Sequence, residues 1–256
     1  MATTPMPAPE SQASVAQPQA SISPFGRVIG VFFSPKATFE DIVRKPSWIL
    51  PAAIILLLSL AAVAALNQHF NWREYMVQQM EKNSRTAQLS PEDKEKQVEG
   101  GVKFAPIAAY VSALLLPVLG ILVISLVLMA AYNLMAGAGV NFSTSLAVVS
   151  HSLVPAAVIG TFLFVLVLFL KPVGMFDLEN PVATNLAVLL PEDSAKWLVA
   201  LAKNMDLLEL WKLLLLAIGF AAVNSRKLQG GKSLTIVVSV FLVYVVIRVG
   251  LAFVFS

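Results

Sequence analysis

Five long apolar stretches, separated by polar connections, organise this chain: Trp48–Leu66, Ala105–Met135, Ser143–Leu170, Leu207–Val223 and Ser233–Phe255. A helix rises about 1.5 Å per residue, so about 20 apolar residues cross a hydrocarbon core of about 30 Å. Soluble core helices rarely hold such lengths without a polar face. The pattern predicts an all-α, polytopic membrane protein with five transmembrane helices.

The segments between and before these stretches predict further helices of a different kind. Ahead of the first span, Phe25, Val28, Ile29 and Phe32 fall at helical spacing, and Phe39, Ile42 and Val43 repeat the pattern after Pro35. Arg27, Lys36, Arg44 and Lys45 lie among them. Two short amphipathic helices in the headgroup region fit this arrangement, and packing against the spans is the alternative. Pro46 ends the second helix and turns the chain into the membrane. In the connection Asn67–Phe104, Ser90 suits an N-cap, Pro91 the first helical position and Asp93 a capping-box acid; Gly100 and Gly101 then predict the helix's end. Ala195–Lys203 reads as another interfacial helix, anchored by Trp197. Pro106, Pro117 and Pro155 mark expected bends in the two longest stretches.

Composition narrows the class. Apolar residues make up 57% and charged residues 13%, against about 25% charged in soluble domains. A net charge of +3, with no basic run or recognition-helix pattern, argues against nucleic acid as a partner. The absence of cysteine removes disulfides and thiolate chemistry. Residues 1–22 are rich in Pro, Ala, Ser and Gln; they read as a disordered tail and lack the basic-then-apolar order of a cleavable signal. Residues 23–256 read as one membrane domain.

Ionisable groups inside spans default to functional hypotheses because burying them is costly. Arg248 is the deepest. With the hairpin of the last two spans pivoting near Leu228, Glu209 falls at nearly the depth of Arg248, so an Arg248–Glu209 pair is expected, or an Arg248–Asp206 pair nearer the interface. Lys212 meets Glu209 at i, i+3, and snorkelling of Arg248 and Lys212 to the headgroups is the alternative. Asn133 and His151 read as polar interhelical contacts. No HxxxH, GxSxG, GxGxxG or P-loop spacing occurs, so neither a catalytic residue, a cofactor nor a metal is expected.

Three blocks carry a family resemblance: SPKATFEDIVRKPSWILPAA around the first span, AGAGVNFSTSLAVVSHSLVPAAVIG opening the third, and MDLLELWKLLLLAIGFAAVNSRKLQGGKSL across the fourth. In these the chain resembles the Yip family of integral membrane proteins (Ypt-interacting, Yip-one type), in its prokaryotic branch. The resemblance implies five spans, a cytoplasmic N-terminus and a C-terminus on the far side. Counting basic residues slightly opposes that orientation, whereas the crowding of Arg226, Lys227 and Lys232 in one short loop favours it. Eukaryotic members are associated with Rab-type GTPases as partners rather than enzymes. The tail here has no recognisable partner-facing feature, so that role is not carried over. The expected function is a non-enzymatic scaffold, adaptor or bilayer-shaping component, set in a bacterial inner membrane, touching lipid and either protein partners or further copies of itself. A small-molecule or ion permease is the alternative, and a polar cavity joining Asn133, His151 and Arg248 would favour it.

Overall fold

The computed structural model describes residues 21–82, 86, 89–171, 176–178, 180–191, 193–229 and 231–254. The expected N-terminal tail lies almost wholly outside them. Nine α-helices are found among the described residues: α1 (Pro24–Phe33), α2 (Pro35–Arg44), α3 (Ile49–His69), α4 (Trp72–Lys82), α5 (Pro91–Ala136), α6 (Phe142–Leu170), α7 (Lys196–Asn204), α8 (Leu207–Val223) and α9 (Lys232–Val254). Four of them, α3, α5, α6 and α9, are long and apolar enough to cross a membrane. The expected fourth span, α8, has 17 residues. At about 25 Å it falls a little short of a typical core, a mismatch that local thinning accommodates.

Helices α5, α6, α8 and α9 contact one another in a closed circuit, α5 to α6, α6 to α8, α8 to α9 and α9 to α5. Helix α3 lies against α5 and α6, while α2 lies against α6 and α8. At one end of this bundle the chain turns twice, and polar side chains lash the turns together. Gly137 (φ 56°) and Gly139 (φ 71°) take left-handed conformations that L side chains rarely adopt. Asn133 closes this first turn, donating to the Val140 carbonyl and accepting from the Val140 amide, both at 2.8 Å. Across to the second turn, Asn224 Nδ2 donates to the Ala138 carbonyl (3.2 Å) and Lys227 Nζ to the Gly137 carbonyl (2.5 Å).

The core is most complete beside these turns. Tyr132 stacks on Phe220 with centroids 4.3 Å apart and rings 10° from parallel. Its hydroxyl donates to the Ser233 carbonyl (2.9 Å), and Ser233 Oγ donates to the Ala217 carbonyl (2.6 Å). Every residue from Thr144 to Ser152 is buried. Helix α8 comes close to its neighbours at Gly219, where a Cβ would sit 2.5 Å from Val148 Cγ1 and 3.0 Å from the Phe39 ring. Only a residue without a side chain allows that approach.

One boundary differs from the sequence reading. Gly100 and Gly101 do not stop the helix: α5 runs unbroken for 46 residues from Pro91 to Ala136. The Ser90 cap forms as expected, with its hydroxyl accepting from the Asp93 amide at 3.1 Å. Two helical glycines cost about 1 kcal/mol each relative to alanine, yet neither adopts the positive φ of a C-cap. Gly101 has a packing reason to be there, since a Cβ would lie 2.7 Å from Met76 Sδ of α4. Arg73 of α4 also pairs with Glu95 of α5 at 2.5 Å, and that hydrogen bond and charge raise the guanidinium pKa.

Candidate functional site

Most of the sequence-derived candidates fall into two places, the α1–α2 hairpin and a cavity lined by α8 and α9. The first is the α1–α2 hairpin. Ser23 caps α1 by accepting from the Gly26 amide (3.1 Å), and Pro24 and Pro35 open the two helices with φ already set. The hairpin pivots on Ser34, so residues equally far from it face each other. Gly30 and Thr38, four positions to either side, come so close that a Cβ on Gly30 would sit 2.3 Å from Thr38 Oγ1. Arg27 and Asp41, seven positions to either side, form a buried ion pair of 2.8 Å with side chains 4% and 11% exposed.

Arg27 has further acceptors. Its Nη1 donates to the Lys45 carbonyl and to Ser47 Oγ, each at 2.9 Å, and Nη2 to the Asp41 carbonyl at 3.4 Å. The reading of Arg27 among residues facing the headgroups is thereby corrected: it faces inward and ties α1 to α2 and to the start of α3. Val28 and Phe32 are half-buried against the core, and Phe32 packs edge-on to Trp211 of α8. Phe25, Ile29 and Phe33 form the outward stripe, with exposures of 68%, 59% and 82%. Helix α2 departs further from an interfacial helix. Phe39 and Ile42 are fully buried against α6 and α8, so protein rather than lipid covers its apolar face.

The second place is a cavity of about 680 Å³ between α5, the end of α7, α8 and α9. Asp206, Glu209, Lys212 and Arg248 all line it, so the four candidates do converge. Their pairing differs from the expectation. Glu209 bonds Lys212 at i, i+3. Asp206 caps α8, Oδ1 accepting from the Leu208 (2.8 Å) and Glu209 (3.1 Å) amides, while Oδ2 accepts from Thr184 Oγ1. Arg248 forms no ion pair among the described residues. Its Nη1 donates to the Tyr244 hydroxyl at 3.1 Å, and the guanidinium lies 5.7 Å from that ring's centroid. The physical reason is nearer partners: Lys212 lies one turn from Glu209, and the α8 amides with Thr184 occupy Asp206.

Asn133 and His151 do not join this cavity. Asn133 bonds across the α5–α6 turn, and buried His151 donates from Nδ1 to the Ala147 carbonyl at 2.8 Å within its own helix. The three residues that would have lined a permeation path therefore sit in separate environments. Sequence reading missed Asp41 as the partner of Arg27, although its equal spacing about Ser34 carried the signal. It also missed Gly219, for which a lone glycine in an apolar helix gives no warning.

Arrangement and composition together define a multi-pass helical membrane protein. The chain belongs to the Yip1 domain family, whose profile matches residues 29–251. The match takes in α2 to α9 except the last three residues of α9; Arg27 lies two residues before it. No curated protein and no solved structure matches the chain.

Proposed function

We propose that this protein acts without catalysis, as a scaffold that shapes or marks one leaflet of the bilayer through its α1–α2 hairpin. The observation that carries the reading is the outward stripe of Phe25, Ile29 and Phe33 on a hairpin whose inner face is locked by Arg27 and Asp41. Residues at i, i+4 and i+8 share one helix face. A short helix with such a stripe lies in the plane of the interface, burying its apolar face at the boundary of headgroups and acyl chains. Because α2 is anchored in the bundle, the wedge is held at a fixed depth and angle. In this proposal the hairpin lies on the cytoplasmic leaflet of a bacterial inner membrane. Protein partners or further copies of the chain assemble around the same face.

The test is reconstitution of the full chain into vesicles of phosphatidylethanolamine and phosphatidylglycerol at rising protein-to-lipid ratio. The wild type is expected to reduce vesicle diameter in a dose-dependent way. A variant with Phe25, Ile29 and Phe33 all changed to Ser should insert and fold but leave diameter unchanged. Equal diameters for the two proteins would overturn the wedge. Crosslinking in native membranes followed by identification of co-purifying chains tests the scaffold role separately.

A further inference from the structure

The cavity between α5, α8 and α9 has the features of a site for a single amphiphile. Its floor is apolar and buried: Leu128 of α5, Leu213 and Leu216 of α8 and Val237 of α9 are each 6% exposed or less. Its rim, with Val123, Val127, Val243 and Ile247 on α5 and α9, is 45% to 61% exposed, so the slot opens sideways toward the lipid rather than along the bundle axis. All its charged side chains gather at one end.

The dimensions agree with one leaflet. Asp206 to Leu216 along α8 spans ten residues and Arg248 to Val237 along α9 spans eleven, each about 15 Å of helix. Half of a hydrocarbon core is also about 15 Å. The charged end therefore reaches interface depth when the apolar end reaches the bilayer centre. The volume of about 680 Å³ falls within the roughly 300–1,000 Å³ of small-molecule sites.

The charges select the headgroup. Lys212 and Arg248 line the groove together with two carboxylates, those of Asp206 and Glu209. Asp206 is spent on capping α8 and on Thr184, and Glu209 on Lys212. Arg248 is left with a neutral hydroxyl and an aromatic ring, and a guanidinium so placed presents further donors suited to a phosphate. Basic pockets between transmembrane helices take anionic lipid headgroups by this chemistry. We propose that the groove between α5, α8 and α9 binds one anionic phospholipid from the surrounding bilayer, its phosphate on Arg248 and an acyl chain along the slot to Val237.

The test uses the full chain in a non-ionic detergent, with thermal unfolding followed by tryptophan fluorescence. Phosphatidylglycerol, phosphatidylcholine and inorganic phosphate are each added alone. A ligand that binds only the folded state raises the midpoint by mass action. Phosphatidylglycerol is expected to raise it by about 4 °C more than phosphatidylcholine does, and phosphate alone to leave it unmoved. Arg248→Gln should lose most of that difference, as should Val240→Trp, which fills the slot. Arg226→Gln, a change of equal charge in the turn at the opposite end, should keep it. Because Arg248 is exposed, R248Q folds even where V240W does not, and it decides the matter alone. Equal shifts for the two lipids, retention of the difference in R248Q, equal loss in R226Q, or the same shift from phosphate would each overturn the proposal. The native chain has no cysteine, so a single Val243→Cys reports on protein occupancy of the groove; efficient disulfide dimerisation in membranes would assign it to a second copy of the chain instead.

Discussion

Arg27 in the α1–α2 hairpin and Arg248 on the groove belong to the same bundle, and the fold treats them in opposite ways. Arg27 is sealed, with a carboxylate, two carbonyls and a hydroxyl around one guanidinium whose side chain is 4% exposed. Arg248 is exposed, bonded to a single hydroxyl, on the rim of a groove. The contrast teaches where charge is structural and where it is available. A buried cation in a membrane protein survives only when acceptors surround it, because no water repairs an omission. A cation at interface depth can stay open to solvent and headgroups, and so remain available to a ligand.

The largest expected effect breaks the sealed site. Arg27→Met leaves Asp41 buried without its partner, and should cost about 3–5 kcal/mol of stability. Arg248→Gln should change stability by no more than about 0.5 kcal/mol, as for most exposed substitutions. Thermal unfolding of both variants in one detergent, with no lipid added, measures the difference directly. Comparable losses would dissolve the distinction between the two sites.

Next in size is the contact that seats the hairpin on the bundle. Gly219→Ala places a methyl 2.5 Å from Val148 and 3.0 Å from Phe39, inside a packed core where overfilling costs about 1–3 kcal/mol. The same substitution at Gly120, where nothing lies within 4 Å, should be neutral or stabilising. Tyr132→Phe is smaller still. Losing one buried hydroxyl that bonds Ser233 should cost about 1 kcal/mol while leaving the ring stacked on Phe220. A loss as large as that of R27M would mean that the turns, rather than the hairpin, hold this end together.

The smallest effects test the long helix. Gly100→Ala meets nothing within 4 Å and should gain up to about 1 kcal/mol from helix propensity. Gly101→Ala should gain less, because its methyl must displace the Met76 side chain. Equal gains would show that α4 does not rest on α5 as described.

The contrast also explains what the sequence could and could not convey. Helix existence was legible because apolar runs and caps are local: Ser23, Ser90, Asn141 and Asp206 each cap the helix that follows. The proline-opened pair α1 and α2 was legible for the same reason. The direction that an amphipathic face takes is not local. The spacing of Phe25, Val28, Ile29 and Phe32 marked an apolar face, but nothing in those residues says whether protein or lipid covers it. Arg27 was read outward because its partner lies across a turn, and Arg248 inward because its depth was counted without its neighbours. Gly100 and Gly101 were read as a stop because a pair of glycines usually ends a helix, whereas here one of them admits a packed methionine.

The measurement that tests this account most directly is a double-mutant cycle between Arg27 and Asp41, read by thermal unfolding of the full chain. Arg27→Met, Asp41→Leu and the double variant are compared with the wild type, and the double variant should recover much of what either single change loses, with a coupling of about 2–3 kcal/mol. Strictly additive losses, with no recovery, would contradict the claim that this buried pair locks the hairpin to the bundle.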